Sequence, residues 1–264
     1  MQQRHLDRKL YFQELANTSR DFYLDYLRPY INLGEQTRVL EIGCGEGGNL
    51  LPFAEIGCQV KGIDLSETRI RQAREFFAEA GQNATFACEN FIHADQPATE
   101  ADRYDLILIH DVIEHIEKPY KLDFFTHIRP FLKQNGLLFI GFPAWQMPFG
   151  GHQQICKGFA AKMPFIHLLP KRLYAAIVRS CGNGDACVNE LLSIKRAKMP
   201  IEPFERLTKN CGYTILQRTL WFVNPHYKQK FGLKPRKENA FFARLKYIRN
   251  FYTTSAFYLL RSAE

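Results

Sequence analysis

Residues 39–48, VLEIGCGEGG, decide how this chain folds: an apolar run ends on an acid and gives way to four glycines. The apolar run reads as a buried strand, and the glycines as a tight turn that opens a helix. Gly43, Gly45 and Gly48 meet the G-x-G-x-x-G spacing with which a strand–turn–helix unit holds a pyrophosphate on its backbone N–H groups. The charges oppose that ligand. Glu41 lies two residues before the first glycine and Glu46 lies within the turn, and like charges at short range repel by roughly 1 kcal/mol or more outside bulk water. A cationic ligand that needs close backbone approach suits the loop better.

Outward from the loop the periods alternate. QVKGID (59–64) reads as a second strand, and NLLPFAEIG (49–57) before it as a short helix. Ser66 caps the next helix, in which Ile70, Ala73, Phe77 and Ala80 recur at helical spacing. ATFAC (84–88), YDLILIH (104–110) and GLLFIGF (136–142) give three more strands, with DFFTHIRPFLKQNG (123–136) read as helical up to an Asn-Gly stop. Strand and helix in this order predict a parallel, doubly wound α/β sheet with its ligand at the carboxyl ends of the central strands. Upstream, Phe22, Tyr26 and Tyr30 stand four apart with Tyr23 and Leu27 alongside, which predicts a cap helix. After Phe142 the alternation stops in a long Pro- and aromatic-rich stretch with helical segments, and regularity returns with EPFERLTKN, GYTILQRTLWFV and SAFYLLR. The expected division is 1–34 as N-terminal cap helices, 35–145 as the cofactor-binding core, 146–199 as an inserted helical cap, and 200–264 as a C-terminal helix with antiparallel strands.

The 264 residues, 46% hydrophobic, suffice for one large domain with a real core. The charged opening MQQRHLDRKLYF lacks the pattern of a signal peptide, and no apolar run approaches the ~18 residues of a membrane span. Seven cysteines without a C-x-x-C pair suit a reducing compartment, so the cytoplasm is expected; Cys181 and Cys187 flank GNGDA without zinc-like partners, and no metal is expected. The formal charge of +8 is uneven: residues 226–249 carry many Lys and Arg and one acid, Glu238. Such a stretch attracts an anionic membrane or RNA.

Five stretches together resemble the class I S-adenosylmethionine-dependent methyltransferases, in particular the branch of quinone-biosynthesis and related small-molecule enzymes: VLEIGCGEGG, VKGIDLSETRIRQAREFF, FACENF, YDLILIHDVIEHI and LKQNGLLFIGFP, in family order between residues 39 and 143. The resemblance implies a seven-stranded Rossmann-like sheet of order 3-2-1-4-5-7-6, its last two strands an antiparallel hairpin, and S-adenosylmethionine as cofactor. This ligand carries an ammonium and a sulfonium and no phosphate, as the acids of the loop require. By position, Glu41, Gly43, Cys44 and Gly45 would hold the methionine portion. Asp64 would take the ribose hydroxyls in a bidentate way. Leu65, Asn90 and Phe91 would meet the adenine, and His110 and Asp111 would border the methionine group and the acceptor.

Methyl transfer is an in-line displacement that needs positioning and, for a phenol or alcohol, loss of a proton to a nearby base. His152 in FGGHQQ is the preferred base, ahead of His110 with Asp111 and of the Glu114–His115 pair in IEHI. The fourth strand lacks a following Asn/Asp-Pro-Pro-aromatic tetrapeptide, which speaks against an adenine or glutamine nitrogen as target. Trp145, Phe149, Phe159, Phe165 and Leu168 offer an apolar lining for an aromatic, lipid or lipid-linked acceptor. The expected activity is therefore methyl transfer to an oxygen of a small molecule. The alternatives are an RNA methyltransferase that uses the basic stretch, with phosphate contacts through 228–249, and a non-catalytic nucleoside-binding protein.

Overall fold

The computed structural model describes residues 7–262. Its strands are β1 (Arg38–Ile42), β2 (Gln59–Asp64), β3 (Thr85–Cys88), β4 (Tyr104–His110), β5 (Leu132–Phe142), β6 (Tyr213–Val223), β7 (Arg236–Lys237) and β8 (Ser255–Ser262). The helices are α1 (Arg8–Thr18), α2 (Leu24–Leu27), α3 (Leu51–Glu55), α4 (Glu67–Glu79), α5 (Lys121–Ile128), α6 (Lys171–Ser180), α7 (Asp185–Ala197), α8 (Ile201–Asn210), α9 (His226–Phe231) and α10 (Ala240–Arg244). The strands form one sheet of order β3-β2-β1-β4-β5-β8-β6-β7. The first five run parallel, and β8 pairs antiparallel with both β5 and β6. The expected Rossmann-like sheet is therefore present, with its terminal hairpin formed by β6 and β8. The added strand is the two-residue β7, which pairs antiparallel with β6 at Trp221 and Val223; Arg236 and Lys237 gave no apolar run by which to recognise it.

The central strands are apolar throughout because both faces are covered. Leu40, Ile107, Ile109, Leu138 and Ile140 face a core completed by Phe124 and Phe125 of α5 and Phe204 of α8. The alternate residues Val39, Leu106, Leu108, Leu137 and Phe139 face Phe12 of α1, Phe53 of α3 and Phe77 of α4. The side chain of Ser66 caps α4 through Arg69 N at 3.4 Å. Residues 146–199 carry 3₁₀ turns together with α6 and α7, which pack on each other around a small core of their own that includes Ile166, Tyr174, Val178, Val188 and Leu191.

Two local expectations are corrected. Helix α5 ends at Ile128, one residue before the Arg129–Phe131 turn that contains Pro130, so β5 already starts at Leu132. Asn135-Gly136 lies in a strand irregularity between the Tyr104–Leu132 and Leu106–Leu137 pairs rather than at a helix stop. Upstream of the sheet, Ser19–Tyr23 is a π-helical turn between α1 and α2. The wider turn shifts the phase, so Tyr23, Leu24 and Leu27 are buried while Tyr30 is exposed.

Helix α1 lies directly on the glycine loop. A Cβ at Gly48 would stand 2.5 Å from the Phe12 carbonyl oxygen and 2.8 Å from Leu15 Cβ. Gly48→Ala should therefore displace α1 and cost about 1–3 kcal/mol of stability, measured by urea unfolding; a variant as stable as the wild type would show that α1 shifts freely.

Candidate active site

The order of the sheet reverses between β1 and β4, and their carboxyl ends open into a cleft of about 380 Å³, the position where open α/β sheets take ligands. Gly43 N and Cys44 N both donate to the Ile63 carbonyl, at 2.7 and 3.0 Å, which folds the loop back over β2. Gly43 has a φ of 75°, and a Cβ there would overlap the Val112 side chain. This position requires glycine on both counts. Asp64 organises the same loop: its Oδ2 accepts from Gly45 N at 2.9 Å and its Oδ1 from Ser66 N at 2.8 Å. Each oxygen keeps a second lone pair for a ligand.

Under the loop lies Glu41, fully buried, whose Oε1 accepts from Asn49 Nδ2 at 2.7 Å. Burial pushes its carboxyl up to about 8, Asn49 opposing and Asp64 adding to the shift. Glu41 Oε2, Asn49 Oδ1, Tyr23 hydroxyl and His110 Nε2 are buried without a hydrogen-bond partner among the described residues. Buried polar atoms left unpaired cost about 1–3 kcal/mol each. Glu41 and Asn49 flank the glycine loop, so a polar ligand held there would satisfy their free oxygens. Glu46 is not the free, phosphate-repelling charge expected from the sequence. It is buried, and Arg8 of α1 pairs with it through Nε at 2.6 Å and through a second guanidinium nitrogen. The preference for a cationic ligand therefore rests on Glu41.

His110 ends β4 with its ring against Tyr23, 5.4 Å between centroids, and its Nδ1 3.5 Å from Asp111 Oδ2. Asp111 and His152 both line the cleft, and both are non-glycine residues held at positive φ, 54° and 57°. Such strained positions cluster at functional sites. His152 comes within 4.9 Å of His115, ring to ring, and each Nε2 lies 4.0 Å from Glu114 Oε1. Glu114 is buried, and neither carboxyl oxygen has a hydrogen-bond partner among the described residues. Burial, with Asp111 next, holds its carboxyl well above the usual range. Burial, then His115, pushes His152 down to about 4, and burial also lowers His115. Both imidazoles are therefore neutral near pH 7, with a lone pair each, although the same burial weakens them as bases. One donor atom from each of Glu114, His115 and His152 lies within 4.8 Å of the others. With modest contraction, such a set could also hold a divalent ion.

The remaining expected residues divide. Cys44 is buried in the loop and lines the cleft. Leu65 is 73% exposed next to Asp64, and neither is among the residues lining the cleft. Asn90 is exposed, and its Oδ1 accepts from Ile92 N at 3.3 Å, so that oxygen already caps a 3₁₀ turn. Phe91 is misassigned as a cofactor contact by its side chain: the ring is buried in the core 4.8 Å from Phe131. Of the five apolar residues expected to line the acceptor space, Phe149 does so. Trp145 is buried against His167, Phe159 and Phe165 are exposed, and Leu168 is half-buried away from the cleft. Met147 and Ile155 supply the apolar wall instead. The sequence also gave no warning that Arg8, Tyr11, Asn224, Tyr227 and Lys230 close the cleft from α1 and from the start of the basic stretch. Asn49 was the one missed residue with a local signal, since it directly follows the last glycine of the loop.

The fold defines a class. Residues 39–136 match the family described as methyltransferase domain, and the fold is that of the class I S-adenosylmethionine-dependent methyltransferases. Among solved structures, an S-adenosylmethionine-dependent methyltransferase from Clostridium acetobutylicum ATCC 824 superposes with a TM-score of 0.60 at 13% identity, covering 94% of this chain and 92% of that one. The magnesium protoporphyrin IX methyltransferase of Synechocystis PCC 6803 with bound SAH gives 0.56 at 15%, over 95% and 84%. In sequence, the chain is similar to the ubiquinone biosynthesis O-methyltransferases of Chelativorans sp. (strain BNC1), 34% identical over 134 residues, 45% of this chain and 52% of the relative, and of Parvibaculum lavamentivorans, 34% over 125 residues, 47% and 46%. The chain thus spans about half the length of the curated relatives it matches.

Proposed function

We propose that the protein is an S-adenosylmethionine-dependent methyltransferase that transfers the methyl group to an oxygen of a small aromatic, lipid or lipid-linked acceptor. One observation carries this reading: a single cleft joins the Gly43–Gly45 loop, with Glu41 and its unpaired Oε2 beneath it, to neutral His152. In this reading Glu41 and the loop hold the methionine end of the cofactor, Asp64 the ribose, and Leu65 and Asn90 the adenine edge. His110 and Asp111 border the reacting methyl. His152 takes the acceptor proton, and the buried Glu114 carboxyl lies 4.0 Å from its Nε2. The curated relatives, named for ubiquinone biosynthesis, support a phenolic acceptor with a lipid tail. The test is transfer of labelled methyl from S-adenosylmethionine to a panel of hydroxylated aromatics with and without isoprenoid tails. Labelling of none of them, or of RNA instead, would refute the reading.

A second reading is favoured by the Glu114, His115 and His152 donor set. A divalent ion there would orient two acceptor oxygens and favour their ionised form. Exhaustive chelation separates the two: activity that survives supports the imidazole base, and activity lost and restored by a divalent cation supports the ion.

The partner surface proposed is 228–249. No helix of the described residues is long and apolar enough to cross a membrane. Phe231, Leu233, Phe241 and Tyr247 are exposed among the basic residues there, which supports peripheral contact with an anionic membrane over RNA. The cytoplasm is the proposed compartment, in line with the seven free thiols.

Cofactor binding should release a proton. Glu41 has a folded pKa near 8 against an ordinary 4.5, so the empty protein keeps this proton where the unfolded chain has lost it. Its contribution to stability is fully present below pH 4.5 and is lost as pH rises through about 8. A cofactor ammonium beside Glu41 favours the carboxylate, so binding at pH 7 should release close to one proton (~0.9). Calorimetric titration with S-adenosylhomocysteine in buffers of different ionisation heat should show it, and Glu41→Gln should abolish it.

A further inference from the structure

We propose that Cys156 and Cys187 form a reversible dithiol/disulfide site that fastens the outer wall of the cleft to helix α7. Their sulfur atoms lie 3.8 Å apart, although 31 residues separate them in sequence. A disulfide needs these atoms at about 2.05 Å, an approach of under 2 Å that side-chain rotation with a small backbone adjustment supplies.

The two backbones are already fixed against each other. Asn183, nearly fully buried, accepts from Lys157 N at 2.7 Å through Oδ1 and donates through Nδ2 to the carbonyls of Lys157 and Val178 at 3.2 and 3.0 Å. One amide thus clamps the segment that carries Cys156 to the loop that leads into Cys187. The pairing differs from the Cys181–Cys187 proximity suggested by the GNGDA spacing. It also reaches the cleft: Cys156 N closes the Gln153–Ile155 turn on the Gln153 carbonyl at 3.0 Å, and Gln154 and Ile155 of that turn line the cavity beside His152.

The two thiols differ in access. Cys156 is 4% exposed, and burial, then Cys187, pushes its thiol up to about 12, while Cys187 is half-buried. A hydroperoxide therefore meets Cys187 first. Its O–O bond breaks, Cys187 becomes a sulfenic acid, and the alcohol, or water from hydrogen peroxide, departs. The Cys156 sulfur then attacks the Cys187 sulfur. The S–S bond forms, the S–O bond breaks, and water leaves with the Cys156 proton. The two thiols have lost two electrons, which the peroxide received, and a dithiol reductant returns them.

The experiment uses the full chain, reduced, exposed to a small excess of hydrogen peroxide, alkylated and mapped by mass spectrometry without reduction. The expected result is a cross-linked pair of peptides holding Cys156 and Cys187. The oxidised protein should melt about 5 °C higher, since a loop of this length is closed, and dithiothreitol should reverse the shift. Cys181→Ser should leave both readouts intact, and Cys156→Ala and Cys187→Ser should each abolish them while the reduced variants keep a cooperative transition. A Cys181–Cys187 cross-link, or oxidation of Cys187 to the sulfinic acid with Cys156 untouched, would overturn the proposal.

Discussion

Asp64→Ala should weaken S-adenosylhomocysteine binding at least 100-fold. The side chain has two tasks in one carboxylate. It accepts from Gly45 N and Ser66 N, which holds the loop against the start of α4, and it presents its remaining lone pairs to the proposed ribose. Hydrogen bonds to a charged group contribute about 1.5–3 kcal/mol each, and two lost together exceed the ~2.7 kcal/mol of a 100-fold change. Asp64→Asn should rescue only in part: the amide keeps one acceptor oxygen but turns an N–H₂ toward a backbone N–H or toward the ligand. Calorimetric titration of both variants is the measurement. A loss below tenfold in Asp64→Ala would mean that the loop is held by Gly43 and Cys44 alone and that the ribose lies elsewhere.

His152→Ala should separate chemistry from cofactor binding. The residue lines the same cleft from the 146–199 segment, outside the glycine loop, so affinity for S-adenosylhomocysteine should stay within threefold. Turnover with a phenolic acceptor should fall by about 10²–10⁴, the usual contribution of a placed general base. Glu114→Gln should cost less, because the imidazole remains and loses only its nearby carboxyl. Adding divalent cations distinguishes the two proposed roles. If His152 is a base, no cation restores the variant; if it is a ligand, high metal concentration recovers part of the rate through Glu114 and His115. Equal loss of cofactor affinity and turnover would show instead that His152 supports the cleft wall.

The sheet was legible because its strands are buried on both faces and so appear as unbroken apolar runs such as YDLILIH and GLLFIGF. The loop was legible because glycine leaves a signature where φ is positive or a Cβ has no room, as at Gly43. What local patterns could not show were meetings across the chain. His152 and Glu114 are 38 positions apart, and their approach depends on where the 146–199 segment folds back. Arg8 cancels Glu46 across a similar separation, which a reading of the loop's own charges had to miss. Exposure was the other gap: an aromatic in a Pro-rich segment reads the same whether it lines a cleft, like Phe149, packs a core, like Trp145, or faces water, like Phe159.

Helix α1 gives the cleft a wall whose inner face, with Phe12 and Ala16, belongs to the core. Arg8, Tyr11 and Leu15 border the cavity, and the first turn relies on ion pairs, Arg8 with Glu46 and Lys9 with Glu79. Loosening of this first turn would widen the cleft on that side. On the proposed function, product residence time is then expected to depend on the Arg8–Glu46 and Lys9–Glu79 pairs. Salt weakens attractions of this kind, so a rise in ionic strength should shorten residence and quicken the steady state, while the first turnover on a preloaded enzyme stays as fast as before.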